Sequence, residues 1–225
     1  MPKIPLIKRR NLNPPQGLHL IFGILMISHF VYIVFRCVYA GTLEDVLWIS
    51  HVGTLIGGLG AIFRNRLLIS VALVSLAGHH GFWLIDTLTW LLTGNFPFGT
   101  TTYLRDADTY GWLQSSNHFF SLPFLLILAF FQGGIKKHAW VWSSLLFTLL
   151  AVMSAFISPE SSNVNSVHQL WPGLDQSFLS DLDQRPPGFY VGAIILLNII
   201  GNYLPAYWIL ILLFGITQSS SPLKQ

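Results

Sequence analysis

Five side chains in apolar surroundings open the case for chemistry: His51, His79, His80, Asp86 and His118. Two imidazoles and a carboxylate can hold a divalent cation and leave positions open for water or substrate, as in hydrolytic zinc sites and non-haem iron sites. A metal there would offset the burial of Asp86 and activate a water. His51, Asp86 and His118 are the candidate metal ligands. His79 and His80 are candidates for acid–base work, and Arg36 is the remaining charged candidate at that level. The signal is spatial: no tight ligand motif such as H-E-x-x-H is present.

The composition explains why these residues stand out. Of 225 residues, 52% are hydrophobic and only 9% are charged. Soluble domains carry roughly 25% charged residues. The chain therefore reads as an all-α, polytopic membrane helix bundle. A charge at the centre of a bilayer costs about 2.5–3.5 kcal/mol or more, so Arg36 and Asp86 invite a functional explanation. The structural alternative is that Asp86 pairs with Arg36 or a protonated histidine, and that the histidines bond across helices.

A spanning helix needs about 20 mostly apolar residues. Six segments qualify: 18–39, 43–63, 67–92, 112–131, 138–157 and 189–216. Pro123 predicts a kink in the fourth, and Asn198, Gly201 and Asn202 predict a break in the sixth. Gly53 and Gly57 form a small-x-x-x-small pair suited to close helix packing. The domain plan is a basic segment at 1–17, a membrane domain at 18–216 with long outer loops at 93–111 and 158–188, and a tail at 217–225. The first apolar run follows Lys3, Lys8, Arg9 and Arg10, and its end at Val38, Tyr39 and Ala40 resembles a cleavage site. Its length exceeds the roughly 7–15 residues of a signal-peptide core, so it is expected to be retained.

Charge assigns the sides. With the N-terminus inside, Lys3, Lys8, Arg9, Arg10, Arg64, Arg66, Lys136, Lys137 and Lys224 all fall inside. Only Arg105 and Arg185 fall in outer loops. By the positive-inside rule both termini are cytoplasmic, in a plasma or inner membrane. Trp48, Trp90 and Trp112 near the outer boundary, and Trp140 and Trp142 near the inner one, fit an aromatic belt. No basic stripe interleaved with aromatics is present, so nucleic acid is not an expected partner. Cys37 is the single cysteine and reads as a packed thiol.

At a rise of about 1.5 Å per residue, His51, Asp86 and His118 all lie about 9–10 Å below the outer boundary. His79 and His80 lie roughly 10 Å deeper, and His79 shares a helix face with Trp83, Asp86 and Trp90. Of the two adjacent histidines, one is expected inside the bundle and one against a neighbouring helix. His29 reads as an interhelical bond, His138 as a boundary residue and His168 as a loop residue.

The sequence therefore predicts an intramembrane, metal-dependent enzyme of hydrolase type, acting on a lipid or other membrane-soluble molecule. Ser75 and His79 show an S-x-x-x-H spacing similar to that of the alkaline ceramidases and related membrane hydrolases. The H-x-x-x-H of that group is missing and the helix count differs. The alternatives are a subunit binding haem b or a pigment through His51 and His118, an accessory subunit partnered by other membrane subunits, and a small transporter.

Overall fold

The computed structural model describes residues 16–170 and 180–215. The basic segment through residue 15, with Lys3, Lys8, Arg9 and Arg10, lies outside them. So do 171–179 of the second outer loop, with Asp175, and the tail with Lys224.

Every regular element among the described residues is a helix. They are α1 (Gln16–Ala40), α2 (Ile49–Ile62), α3 (Arg66–Thr93), α4 (Thr109–Ser115), α5 (Asn117–Phe131), α6 (Ala139–Ile157), α7 (Pro187–Asn198) and α8 (Leu204–Phe214). Short helical turns lie between them. Among the described residues five stretches are long and apolar enough to cross a membrane: Gly17–Ala40, Arg66–Thr93, Thr109–Phe131, Ala139–Ile157 and Pro187–Phe214. Their outward faces are apolar too. Leu212 is 80% exposed, Phe156 86% and Leu92 85%. In water such a surface would aggregate; against lipid it is satisfied. These are the properties of an integral membrane protein.

The second expected span is the one the structure changes. Leu43–Leu47 winds into a tight turn, Trp48 is extended, and α2 keeps only 14 residues. That is about 21 Å of helix, against a hydrocarbon core of about 30 Å. Asn165 fills the gap at its head, accepting a hydrogen bond from the Ile49 amide (2.9 Å) and donating to Leu47 O (2.9 Å) and Ser154 Oγ (3.1 Å). A side chain from the second outer loop thus does the work of an N-cap.

Helix α2 lies antiparallel between α1 and α3. A Cβ added at Gly58 would meet Ile27, one at Gly53 would meet Leu76, and one at Gly60 would come within 2.8 Å of the Ile69 amide nitrogen. The glycines therefore set the approach of the helices, as the small-residue pattern predicts. Helix α3 touches α2, α5, α6 and α8 and is the central post of the bundle. Below its middle the interior is tightly filled by Ile69, Ala72, Leu73, Leu76, Leu125, Leu128 and Phe147.

Two helix breaks sit close to the polar residues. The fourth span breaks at Ser116, between α4 and α5, while Pro123 is carried inside α5. The carbonyls around the break are met by side chains. Leu113 O accepts from Ser116 Oγ (2.7 Å) and His29 Nε2 (3.1 Å), and Ser115 O accepts from His118 Nδ1 (2.9 Å). The sixth span breaks where its asparagines predict. A π-helical turn, Ile199–Tyr203, joins α7 to α8.

The ends differ in charge. Lys136 N bonds to Ser70 Oγ and Tyr207 Oη to Lys137 O, so Arg64, Arg66, Lys136 and Lys137 share one end. Glu44, Asp45, Asp106, Asp108 and Glu160 occupy segments at the opposite end.

Candidate functional site

A cavity of about 770 Å³ opens at the acidic end, above the packed half of the bundle. Its volume falls in the range of small-molecule sites, about 300–1,000 Å³. Helix α2 supplies Ile49, Ser50 and His51; α3 supplies His79, Phe82 and Trp83; α4 and α5 supply Ser115 and His118. The π turn and its approach supply Asn198, Gly201 and Asn202. The outer loops close the top with Thr100, Tyr103, Ser162, Asn165 and Ser166. The shortness of α2 makes room for this cavity, because a full span would carry helix where loop and void now sit.

His118 is the best-defined side chain in it. Ser115 O can only accept, so His118 Nδ1 carries the hydrogen, and in the neutral ring Nε2 keeps the lone pair. The ring lies flat on Trp83, with centroids 4.5 Å apart and planes at 18°. Trp83 is itself tied through its indole N–H to Tyr103 Oη (2.8 Å), which meets Ser115 Oγ at 3.1 Å. Ring orientation and tautomer are therefore both fixed, as acid–base or ligating histidines require. Burial pushes the Tyr103 hydroxyl above its ordinary range, so it stays protonated as this bridge.

His51 stands across from it. The first turn of α2 is held by Asn117 Nδ2, which donates to Ser50 O (3.0 Å) and Thr54 Oγ1 (3.2 Å). Thr54 Oγ1 in turn meets Ser121 Oγ at 3.1 Å. Nδ1 of His51 is buried with no partner among the described residues.

The adjacent histidines of α3 divide as the sequence predicts, one into the interior cavity and one against a neighbouring helix. The central position of α3 gives it interior on more than one side. His79 lines the cavity and meets Tyr203 Oη at 3.3 Å. His80 points toward α5, its ring 4.3 Å from that of His118, walled off from the cavity. Both its nitrogens lack partners among the described residues.

Asp86 has a different task from the metal ligand expected of it. Oδ1 accepts from the Phe98 amide (2.8 Å). Oδ2 accepts from the Thr101 amide (2.8 Å), Thr101 Oγ1 (2.9 Å) and Thr100 Oγ1 (3.0 Å). Those four donors occupy the carboxylate, and they come from the first outer loop, which folds down onto α3. Among the described residues no group of three His, Cys, Asp or Glu side chains is placed to share a metal ion, so His51, Asp86 and His118 are not assembled as a ligand set. Arg36 is also elsewhere, its guanidinium 5.7 Å from the Tyr110 ring centroid. Ser75 is buried, and its hydroxyl has no hydrogen-bond partner among the described residues.

His29 bonds to Leu113 O across α1 and α4, as an interhelical histidine should. His168 folds back instead of facing solvent, with Nε2 3.0 Å from Ser158 O. Cys37 is buried and free. Residues that spacing does not reveal are Tyr103, Asn165 and Ser115, because loops and a helix break deliver them. Among the described residues, the one charged group lining the cavity is Asp45, in the turn before α2. The chain matches no protein family, no curated protein and no solved structure.

Proposed function

We propose that this is a multi-pass membrane protein that takes a lipid-like, membrane-soluble molecule into its outer-half cavity and acts on it through His118. Six apolar segments cross the bilayer in alternation, α2 being a short one completed by its preceding turn. Both termini are cytoplasmic, since the basic end takes the cytoplasmic side under the positive-inside rule. The orientation of His118 carries the reading. Its Nδ1–H is tied to Ser115 O and its ring is stacked on Trp83, in the wall of a mainly apolar cavity. A neutral imidazole so fixed is a base that draws a proton from a water or hydroxyl group, the first step of hydrolase-type chemistry.

A second reading has an observation of its own. An Nδ1–H held by a carbonyl also directs Nε2 to a metal, and His51 lines the same cavity, so haem b between the two rings is the competing occupant.

One preparation separates the readings. The protein is purified in mild detergent, its bound molecules are extracted for mass spectrometry, and its visible spectrum and metal content are recorded. The expected result is a membrane-soluble molecule near one per chain and no Soret band, with at least tenfold less of that molecule in His118→Ala of unchanged helicity. A Soret band lost in His118→Ala establishes haem instead. A wild-type protein that carries nothing overturns the proposal.

A further inference from the structure

The cavity wall specifies the kind of head group it takes. Among the described residues no lysine or arginine lines it. The cations of this end are engaged elsewhere. Arg36 packs on the Tyr110 ring, Arg105 lies 5.4 Å from the Phe96 ring centroid, and Arg185 borders a separate surface depression with Asp181 and Gln184. A phosphate or carboxylate in a mainly apolar cavity without a cation loses its hydration and gains no charged partner to offset the loss. Asp45 in the wall would oppose it further. Phospholipids and fatty acids are disfavoured on this ground.

The remaining polar wall asks for a donor. Nε2 of His118 offers a lone pair, and nothing on α5 supplies its hydrogen. Asn198 gives one of its two amide N–H groups to Ile194 O (3.0 Å) and keeps its side-chain carbonyl as a further acceptor. With a fixed lone pair on His118, hydroxyls and amides beside it that both donate and accept (Gln114, Ser115, Ser166 and Asn202), and no fixed cation among the described residues, the complementary head group is a hydroxyl. It donates to an imidazole nitrogen and brings no charge to be desolvated.

Resting on the cavity reading above, we infer that the ligand is an uncharged long-chain alcohol, a neutral amphiphile whose free hydroxyl donates to His118 while its chain lies against Phe82, Phe147, Leu170 and Ile194. This is the narrowest class that fits both the missing cations and the fixed lone pair.

The test uses a matched series with one oleyl chain: oleyl alcohol, oleyl methyl ether, oleyl phosphate and oleylamine, each tritium-labelled. Each is titrated onto the full chain in phosphatidylcholine nanodiscs, with empty nanodiscs as the partition control. Oleyl alcohol is expected to bind saturably and at least tenfold more tightly than the other three. His118→Gln, which keeps a polar group of similar size, should bring alcohol and ether within threefold of each other. Equal or tighter binding of the phosphate or the amine overturns the uncharged head group while leaving the cavity reading standing. Equal binding of the methyl ether to wild type overturns the donor to His118. If none of the four saturates, the cavity reading fails as well.

Discussion

The two halves of the bundle are built on opposite principles. Toward the basic end, α1, α2 and α3 approach so closely that only glycine fits at Gly58 and Gly60, and the interior is filled by aliphatic side chains. Toward the acidic end α2 is short and the fourth span is broken, and side chains supply the missing partners: Asn165 from the second outer loop at the head of α2, Asp86 of α3 gripping 98–101, and His29 of α1 with Ser116 on Leu113 O. In hydrocarbon every backbone group needs an internal partner. A regular helix supplies its own; an irregular region must import them. The imported partners are what make room for a cavity, so the polar half is open because it is irregular.

The comparison breaks most visibly at Asp86. Asp86→Ala leaves the buried amides of Phe98 and Thr101 without acceptors, and hydrogen bonds to a charged group are worth about 1.5–3 kcal/mol each. A loss of about 3–5 kcal/mol is expected, read as a lower thermal midpoint together with new protease cleavage within 94–108. Metal content should be unchanged by the substitution, and a stoichiometric metal lost in it would restore Asp86 as a ligand. Gly60→Val attacks the other half. Its Cβ would press on backbone at Ile69, which cannot swing aside, so a loss of about 2–3 kcal/mol is expected, at the upper end of overpacking costs. Loop protection from protease should persist below that lower midpoint; simultaneous loosening of both loops would mean the halves are not separable. Asn165→Ala is the mildest. Losing a cap costs about 1–2 kcal/mol, and the local sign is faster hydrogen exchange at Ile49 and Ser50 with the Ile69–Leu76 amides unchanged.

What the sequence reveals follows the same division. Five of the six apolar segments, the glycine contacts of α2 and the irregularity near Asn202 are periodic or compositional, and these are present among the described residues. The candidate residues divide by whether their surroundings are helical. His51 and His118 line one cavity, because depth along a helix can be counted from its ends, and His79, which the same count puts a layer deeper, lines it too. Asp86 is level with His51 and His118 by that count, yet its partners arrive from a loop whose path no periodicity describes. The retreat of α2 to Ile49 has the same origin. The sequence pattern runs Leu43–Leu47 into the helix, and only the arrival of Asn165, 116 residues after Ile49, fixes where α2 begins.

The π turn in the sixth span has a consequence for phase. Such a turn accommodates one residue more than the α turn it replaces, and one residue is about 100° of rotation. Everything before Ile199 and everything after Tyr203 is thus offset around the helix axis as well as along it. Asn198 and Asn202 both face the cavity while Tyr203 reaches His79 across the interior. Removing a single residue from Ile199–Tyr203 would barely shorten the span. It would turn α8 like a key, carrying Tyr207 away from Lys137 O at the far end and Tyr203 away from His79 at the near one.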